Sequence, residues 1–357
     1  MKSELSAGAR VVLAGAFLAA LVIRVFFVAE FHGNFDVGQY ERVAGLVRAG
    51  GNPYPGDISY NYSPLWAYVV AGLERASDAW SIPFAALVGG LLVAVDAATA
   101  WMLYLLGGRG RMGAAAAVLF FANPVSVIAS GHYFQFDDVA ILFLVVALYA
   151  ASSEPPRGWI AAGALSVSLL VKHIAAFFPP LFVARGPGRH RIPLAAGVLP
   201  YAVFALSFVP FWRSWPGIRK QVFEYRGGTE EYGVGLLRGF VPAWLPTALF
   251  LVAVAAAVFA FRRWPLPRAG LMLFLVMLLF TPGICEYYFV WPIALGSLYG
   301  GAGYFVYTLV TSGFFMGGAL EGLGLPFAHL PGWHGVWWSL VFWLAWEIRG
   351  QSILRSK

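Results

Sequence analysis

The chain has a single cysteine, Cys285, in 357 residues. No internal disulfide can form, and the redox compartment is left open. Charge is also scarce: 11% of residues are charged, against about 25% in soluble domains. With a mean hydropathy of +0.73, that shortage excludes a large soluble domain, because no polar stretch is long enough to fold one. No Walker, HExxH or paired-cysteine pattern occurs, so a nucleotide-sugar donor has no soluble phosphate-binding fold to sit in. Acidic residues number 17 against 24 basic ones, and the isoelectric point is near 9.5. In a soluble protein that balance would suggest nucleic acid. Here the basic residues lie in short loops between apolar runs, as the positive-inside rule expects, so no nucleic-acid partner is expected. No internal repeat is visible.

What is present is membrane-length apolar sequence, recurring along most of the chain. The pattern predicts an all-α, polytopic transmembrane helix bundle forming one integral-membrane domain over 1–357. About twelve spans are expected, at 11–29, 82–106, 112–129, 138–152, 158–172, 174–185, 192–212, 243–261, 268–282, 286–300, 302–319 and 333–348. Lys2 and Arg10 precede the first run. It is longer than a signal-peptide core and no A-x-A-like cleavage site follows it, so it is expected to stay as a span. Residues 65–76 are ambiguous. If they do not cross, Arg109, Arg111, Arg157, Arg185, Arg189, Arg191, Arg262, Arg263 and Arg268 all fall on the inner side. Asp36, Asp137, Asp138, Glu230, Glu231 and Glu286 then fall on the outer side. If they cross, later loops violate the rule. The segment is therefore expected to lie on the outer surface, as is an amphipathic helix over 36–49.

That topology gathers every polar, aromatic-rich motif on one side: 31–64, 130–138, the end of 158–172, 213–240 and 283–288. Residues 31–64 are far longer than an ordinary inter-helix loop, and Asp36 sits near their start. Asp36 reads either as the cap of the helix that follows or as a functional carboxylate. Asn123-Pro124 followed by Ser130 to Asp138 (SGHYFQFDD) puts His132, Gln135 and two carboxylates within seven residues; the simpler alternative is an aromatic belt with a capping Asp. Lys172-His173 lies between apolar runs, where a lysine needs a cavity or a counter-ion. In 213–240, Arg219, Lys220 and Arg226 interleave with aromatics, suiting a phosphate clamp or lipid headgroups. Glu286 could be only a helix N-terminal charge. Arg24 lies near the outer end of its span and can snorkel. Asp96 lies well inside the second span. At ~1.5 Å per residue their depths differ by about 10 Å, which argues against a mutual pair and leaves Asp96 without a named partner. Asp96 and the Lys172 break also suit a transporter or lipid flippase.

Taken in order, these motifs resemble the GT-C superfamily of polyprenyl-phosphate-sugar-dependent glycosyltransferases, above all the dolichyl-phosphate-glucose glucosyltransferases. Asp36 matches the early Asp of that family's first external loop. Asn61-Tyr62-Ser63-Pro64-Leu65-Trp66-Ala67-Tyr68 resembles D-Y-P-P-L-T-A-Y, with Asn61 in place of Asp. Asn123-Pro124 and Gly131 to Asp137 resemble N-P and G-H-F-Q-Y-N. Lys172-His173 stands where the family has K-Q. Phe223 to Glu231 resembles F-x-x-R-G-x-x-E-D, and Cys285-Glu286-Tyr287 corresponds to H-E-K without its His and Lys. The resemblance implies an inverting transferase that moves a hexose from a polyprenyl-phosphate donor to the hydroxyl of a glycan or glycolipid acceptor. It implies Asp36 as base, with Arg226, Lys172, His132 and His173 at the donor phosphate. Tyr62, Asn61, Trp66, Tyr133, Gln135, Asp137 and Glu286 are then expected at the sugar or acceptor. No cofactor or metal is expected. Membrane lipid is a partner, and the Ala/Gly/Arg-rich composition suits a bacterial inner membrane with the site on its outer face.

Overall fold

In lipid every backbone polar group must be satisfied within the chain, which leaves the helix as the form for isolated apolar runs. The computed structural model describes residues 6–54, 58–184, 194–225, 228–229, 232–322 and 332–355, without the side chains of 195, 196, 318–322 and 351–355. These residues form sixteen α-helices and, among them, no strand beyond isolated bridges. In order they are α1 Ala7–Glu30, α2 Phe35–Arg48, α3 Pro64–Trp80, α4 Phe84–Leu106, α5 Arg111–Phe121, α6 Pro124–Gly131, α7 Asp137–Ser152 and α8 Gly158–Val171. There follow α9 Phe178–Val183, α10 Leu194–Ser207, α11 Trp215–Ile218, α12 Leu245–Phe261, α13 Leu266–Phe280, α14 Trp291–Ser297, α15 Ala302–Gly322 and α16 Trp333–Arg355.

Helix falls where the apolar runs predict it, but the lengths differ. Among the described residues α1 and α4 are each long and apolar enough to cross a membrane. The pair α5 and α6 makes a third candidate, bent by 49°. The expected continuous span 112–129 is thus broken, and the cause is local. Pro124 has no N–H to continue the ladder, and the Asn123 side chain instead accepts from Val125 N at 2.9 Å, starting a new helix. A second break falls at Lys172. Its extended backbone (φ −150°, ψ 133°) ends α8 and hands over to a 3-10 turn at His173–Phe177. That is the interruption expected between the short runs around Lys172.

α13 is apolar all round and buried from Ala269 to Leu279, so it forms the centre of the bundle together with α14. Helices α2 and α3 lie side by side and run parallel. Tyr40 meets Trp66 at their starts, and Arg48 reaches Glu74 (3.2 Å) and Asp78 (2.7 Å) at their ends. The segment 49–63 therefore carries the chain back to where α2 began.

Arg24 and Asp96 correct the sequence expectation: they form a fully buried ion pair. A depth count along helix axes ignores side-chain direction. Side chains tilt toward the N-terminus of their own helix. Gly89 packs on Val28 while Asp96 pairs with Arg24, so α1 and α4 run antiparallel. The two side chains therefore lean toward each other and close the gap.

Candidate functional site

The end of the bundle where α1 stops and α4 starts collects five pieces of chain. The α6–α7 turn reaches α2 through Gln135 Nε2, which donates to Asp36 Oδ2 at 2.5 Å. The Ser63 hydroxyl donates to Leu170 O at the end of α8. Tyr60 N donates to Gln221 Oε1 at 2.9 Å, which ties the first loop to the 213–223 segment. Thr229 and Ile284 exchange two backbone bonds of 2.9 Å, joining the 225–229 segment to 283–288. Lys172 and Asp137 form a buried ion pair, and Trp291 Nε1 donates to the other Asp137 oxygen at 2.6 Å.

Two hollows open between these pieces. One, of ≈ 50 Å³, is polar and lined by Asp36, Tyr40, Tyr60, Asn61, Tyr62 and Tyr287, among others. The second, of ≈ 190 Å³, is largely apolar. Lys172 and His173 lie in its wall with Phe177, Phe250, Met277 and Tyr288. Tyr225 belongs to both walls. Asp36 and Lys172 are separated by the same rings: Lys172 Nζ lies 5.5 Å from the Tyr62 ring and 4.9 Å from that of Tyr287.

Asp36 is not the helix cap. Asn34 caps α2, accepting from Asp36 N at 2.9 Å. Asp36 sits in the first turn, where the helix dipole favours an anion. Its charge acts on Tyr40, Tyr62, Tyr225 and Glu286. Burial, before any other cause, pushes the Tyr40, Tyr62 and Tyr225 phenols above their ordinary range. All three stay protonated and can donate. The Tyr40 hydroxyl is buried and has no hydrogen-bond partner among the described residues, so it is open to a polar group entering the hollow.

The other expected site residues divide. Asn61, Tyr62, Lys172 and His173 line the hollows. Arg226 lies outside the described residues, as do Glu230 and Glu231. Trp66 is 1% exposed and stacked on Phe136 at 4.0 Å, so its face packs the interior and lines neither hollow. Gln135 and Asp137 are likewise buried; one holds Asp36 and the other holds Lys172. Tyr133 packs on His132 and Phe315. Glu286 stands near Asp36, but its neighbours Tyr287 and Tyr288 make the walls. His132 does not meet Lys172; its ring sits between Phe31 (4.6 Å) and Tyr133 (4.8 Å). Tyr225, Tyr40 and Tyr60 are wall residues that motif matching passed over. Their only signal in the sequence is the density of tyrosine in 31–64 and 213–240.

Burial pushes the His132 imidazole below its ordinary range. The unfolded chain then binds a proton that the fold refuses, so stability falls as pH drops below the ordinary histidine value. The thermal midpoint of the purified protein is expected to fall between pH 7 and pH 5. His132→Asn should flatten part of that fall, and an unchanged pH dependence in this variant contradicts the burial argument.

Residues 60–282 match the model of glycosyltransferase family 87, a GT-C-type membrane family. The matched stretch includes Asn61, Tyr62, Lys172, His173 and Tyr225, and it starts after Asp36 and ends before Glu286. It does not reach the narrower likeness to dolichyl-phosphate-glucose enzymes. Neither a curated protein nor a solved structure matches the chain. A match over more than half of the chain, on an all-helical bundle with membrane-length helices, places this protein in glycosyltransferase family 87.

Proposed function

We propose that the protein is an inverting hexosyltransferase that uses a polyprenyl-phosphate-linked sugar, acting at the outer face of a bacterial inner membrane. The observation that carries this reading is the pair of hollows sharing Tyr225 as a wall. The polar one presents Asp36 and an unpartnered Tyr40 hydroxyl; the apolar one presents Lys172 and His173. A lipid-linked sugar phosphate has the same division of chemistry: a greasy chain, an anion, then a sugar.

In this reading the lipid chain lies along Phe177 and Phe250. The phosphate sits at Lys172 and His173, with Arg226 as a further cation. Lysine has three N–H donors and Asp137 takes one, so two remain for phosphate oxygens. The acceptor hydroxyl enters the Asp36 hollow and attacks C1 opposite the phosphate. Its proton passes to Asp36 as the C1–O bond forms. The phosphate leaves with the bonding electron pair and needs cations rather than an acid. The polar hollow is small, ≈ 50 Å³, with room for a hydroxyl or a few waters. Tyr225 must therefore move aside for the sugar ring. The twelve-span topology with 31–80 and 213–240 outside follows from the distribution of arginine.

Incubation with a panel of polyprenyl-phosphate hexoses and a membrane extract should consume one donor and yield a product of inverted anomeric configuration. Chelator should leave the rate unchanged. Retention of configuration, or loss of activity with chelator and recovery with a divalent ion, contradicts the proposed chemistry. Flux of lipid-linked sugar across vesicles with no transfer would favour a flippase.

A further inference from the structure

The buried cluster around Arg24 takes no direct part in the proposed chemistry, yet it stands beneath both halves of it. Arg24 is 0% exposed. Its Nε donates to Phe121 O at 3.0 Å, Nη1 to Ser130 Oγ at 2.7 Å and to Asp96, and Nη2 to Ser126 Oγ at 2.9 Å. The guanidinium also lies over the Phe121 ring at 4.6 Å. These partners belong to α4, the end of α5 and the face of α6. The break at Asn123-Pro124 leaves carbonyls at the end of α5 without helix donors, and Arg24 supplies a donor and a positive charge there. Ser126 and Ser130 are four residues apart and so lie on one face of α6. The rigid fork of arginine suits this set of acceptors, and lysine would not reproduce it.

Each consequence leads to the site. Helix α6 is only eight residues long, and Gly131 packs so closely on Phe27 that an added Cβ would lie 2.9 Å from it. The turn after α6 returns through Gln135 N to Ala129 O at 3.0 Å, and the Gln135 side chain then holds Asp36. On the other side Asp138 is buried against the pair, within electrostatic reach of Asp96 and Arg24, and its two oxygens have no hydrogen-bond partner among the described residues. Its neighbour Asp137 holds Lys172.

We infer that Arg24, paired with Asp96, is a positioning residue: it locks the α6 half-helix so that Gln135 orients Asp36. The inference rests on Asp36 as the base. Its test therefore includes a readout that does not depend on transfer.

The variant Arg24→Met with Asp96→Leu removes both charges of the pair together. It should lower kcat at least about tenfold with donor KM within about threefold. Amide exchange over 128–135 should rise about tenfold while 141–151 is unchanged. Adding Gln135→Ala should cost less than about twofold more, because the two changes break one chain of contacts. Arg24→Lys should fall between wild type and the paired variant. Unchanged exchange over 128–135 overturns the lock. So does a general rise that includes 141–151, and so does full multiplication of the two losses. Asp36→Asn is assayed in parallel. If it turns over at the wild-type rate the base assignment falls, and the exchange experiment still decides whether Arg24 holds α6.

Discussion

Asp36→Asn will leave the protein folded and cut sugar transfer by at least about a hundredfold, within the range expected for a missing general base. The folding half of that expectation comes from the cap. Asn34, not Asp36, closes the start of α2, so the change removes no capping bond. Asparagine has the shape of aspartate, and its oxygen can still accept from Gln135 Nε2. The chemical half comes from charge. An amide oxygen cannot take a proton from an attacking hydroxyl, and among the described wall residues of the polar hollow Asp36 is the one carboxylate. Asn34→Ala should show the reverse pattern. It should lower stability by about 1 kcal/mol through the lost cap while leaving the carboxylate in place. Turnover of Asp36→Asn with a purified donor, beside its thermal midpoint, separates the two. Wild-type turnover would remove Asp36 from the mechanism.

Lys172→Met is expected to cost both stability and activity, and a second substitution will separate them. Asp137 is 1% exposed. Without Lys172 it becomes a buried charge whose one remaining side-chain donor among the described residues is the Trp291 N–H. Breaking such a pair costs about 3–5 kcal/mol, whereas replacing both partners by apolar groups is often neutral. The paired variant Lys172→Met with Asp137→Leu should therefore recover most of the lost stability. It should not recover transfer, because the departing phosphate loses a cation in a largely apolar hollow, where fixed charge counts most. Denaturant midpoints and kcat of the two variants check this. Recovery of transfer in the paired variant would show that Lys172 serves packing alone.

Much of this arrangement can be read from residue order. Apolar length placed helices over nearly every described segment. The cost of an intramembrane lysine marked Lys172, and the length of 31–64 marked the wall around Asp36. What could not be read was decided in three dimensions. Gln135 and Asp137 sit in a motif with the polarity of a sugar site, but their side chains turn inward to hold Asp36 and Lys172. Trp66 resembles a stacking platform, yet Phe136 already covers it. Asn34 and Asp36 are both good caps two residues apart, and only the backbone angles show which one stands outside the helix. The Arg24–Asp96 pair escaped a count along straight axes because side chains lean along their helices.

The most direct test of the account is a structure of the Asp36→Asn protein with its polyprenyl-phosphate sugar bound. The account predicts a phosphate oxygen within hydrogen-bond distance of Lys172 Nζ, the chain along Phe177 and Phe250, Tyr225 displaced, and C1 facing residue 36 across a gap that an acceptor oxygen fills at about 3–3.5 Å from C1. A phosphate seated away from Lys172 and His173, or a C1 turned from residue 36, would contradict it.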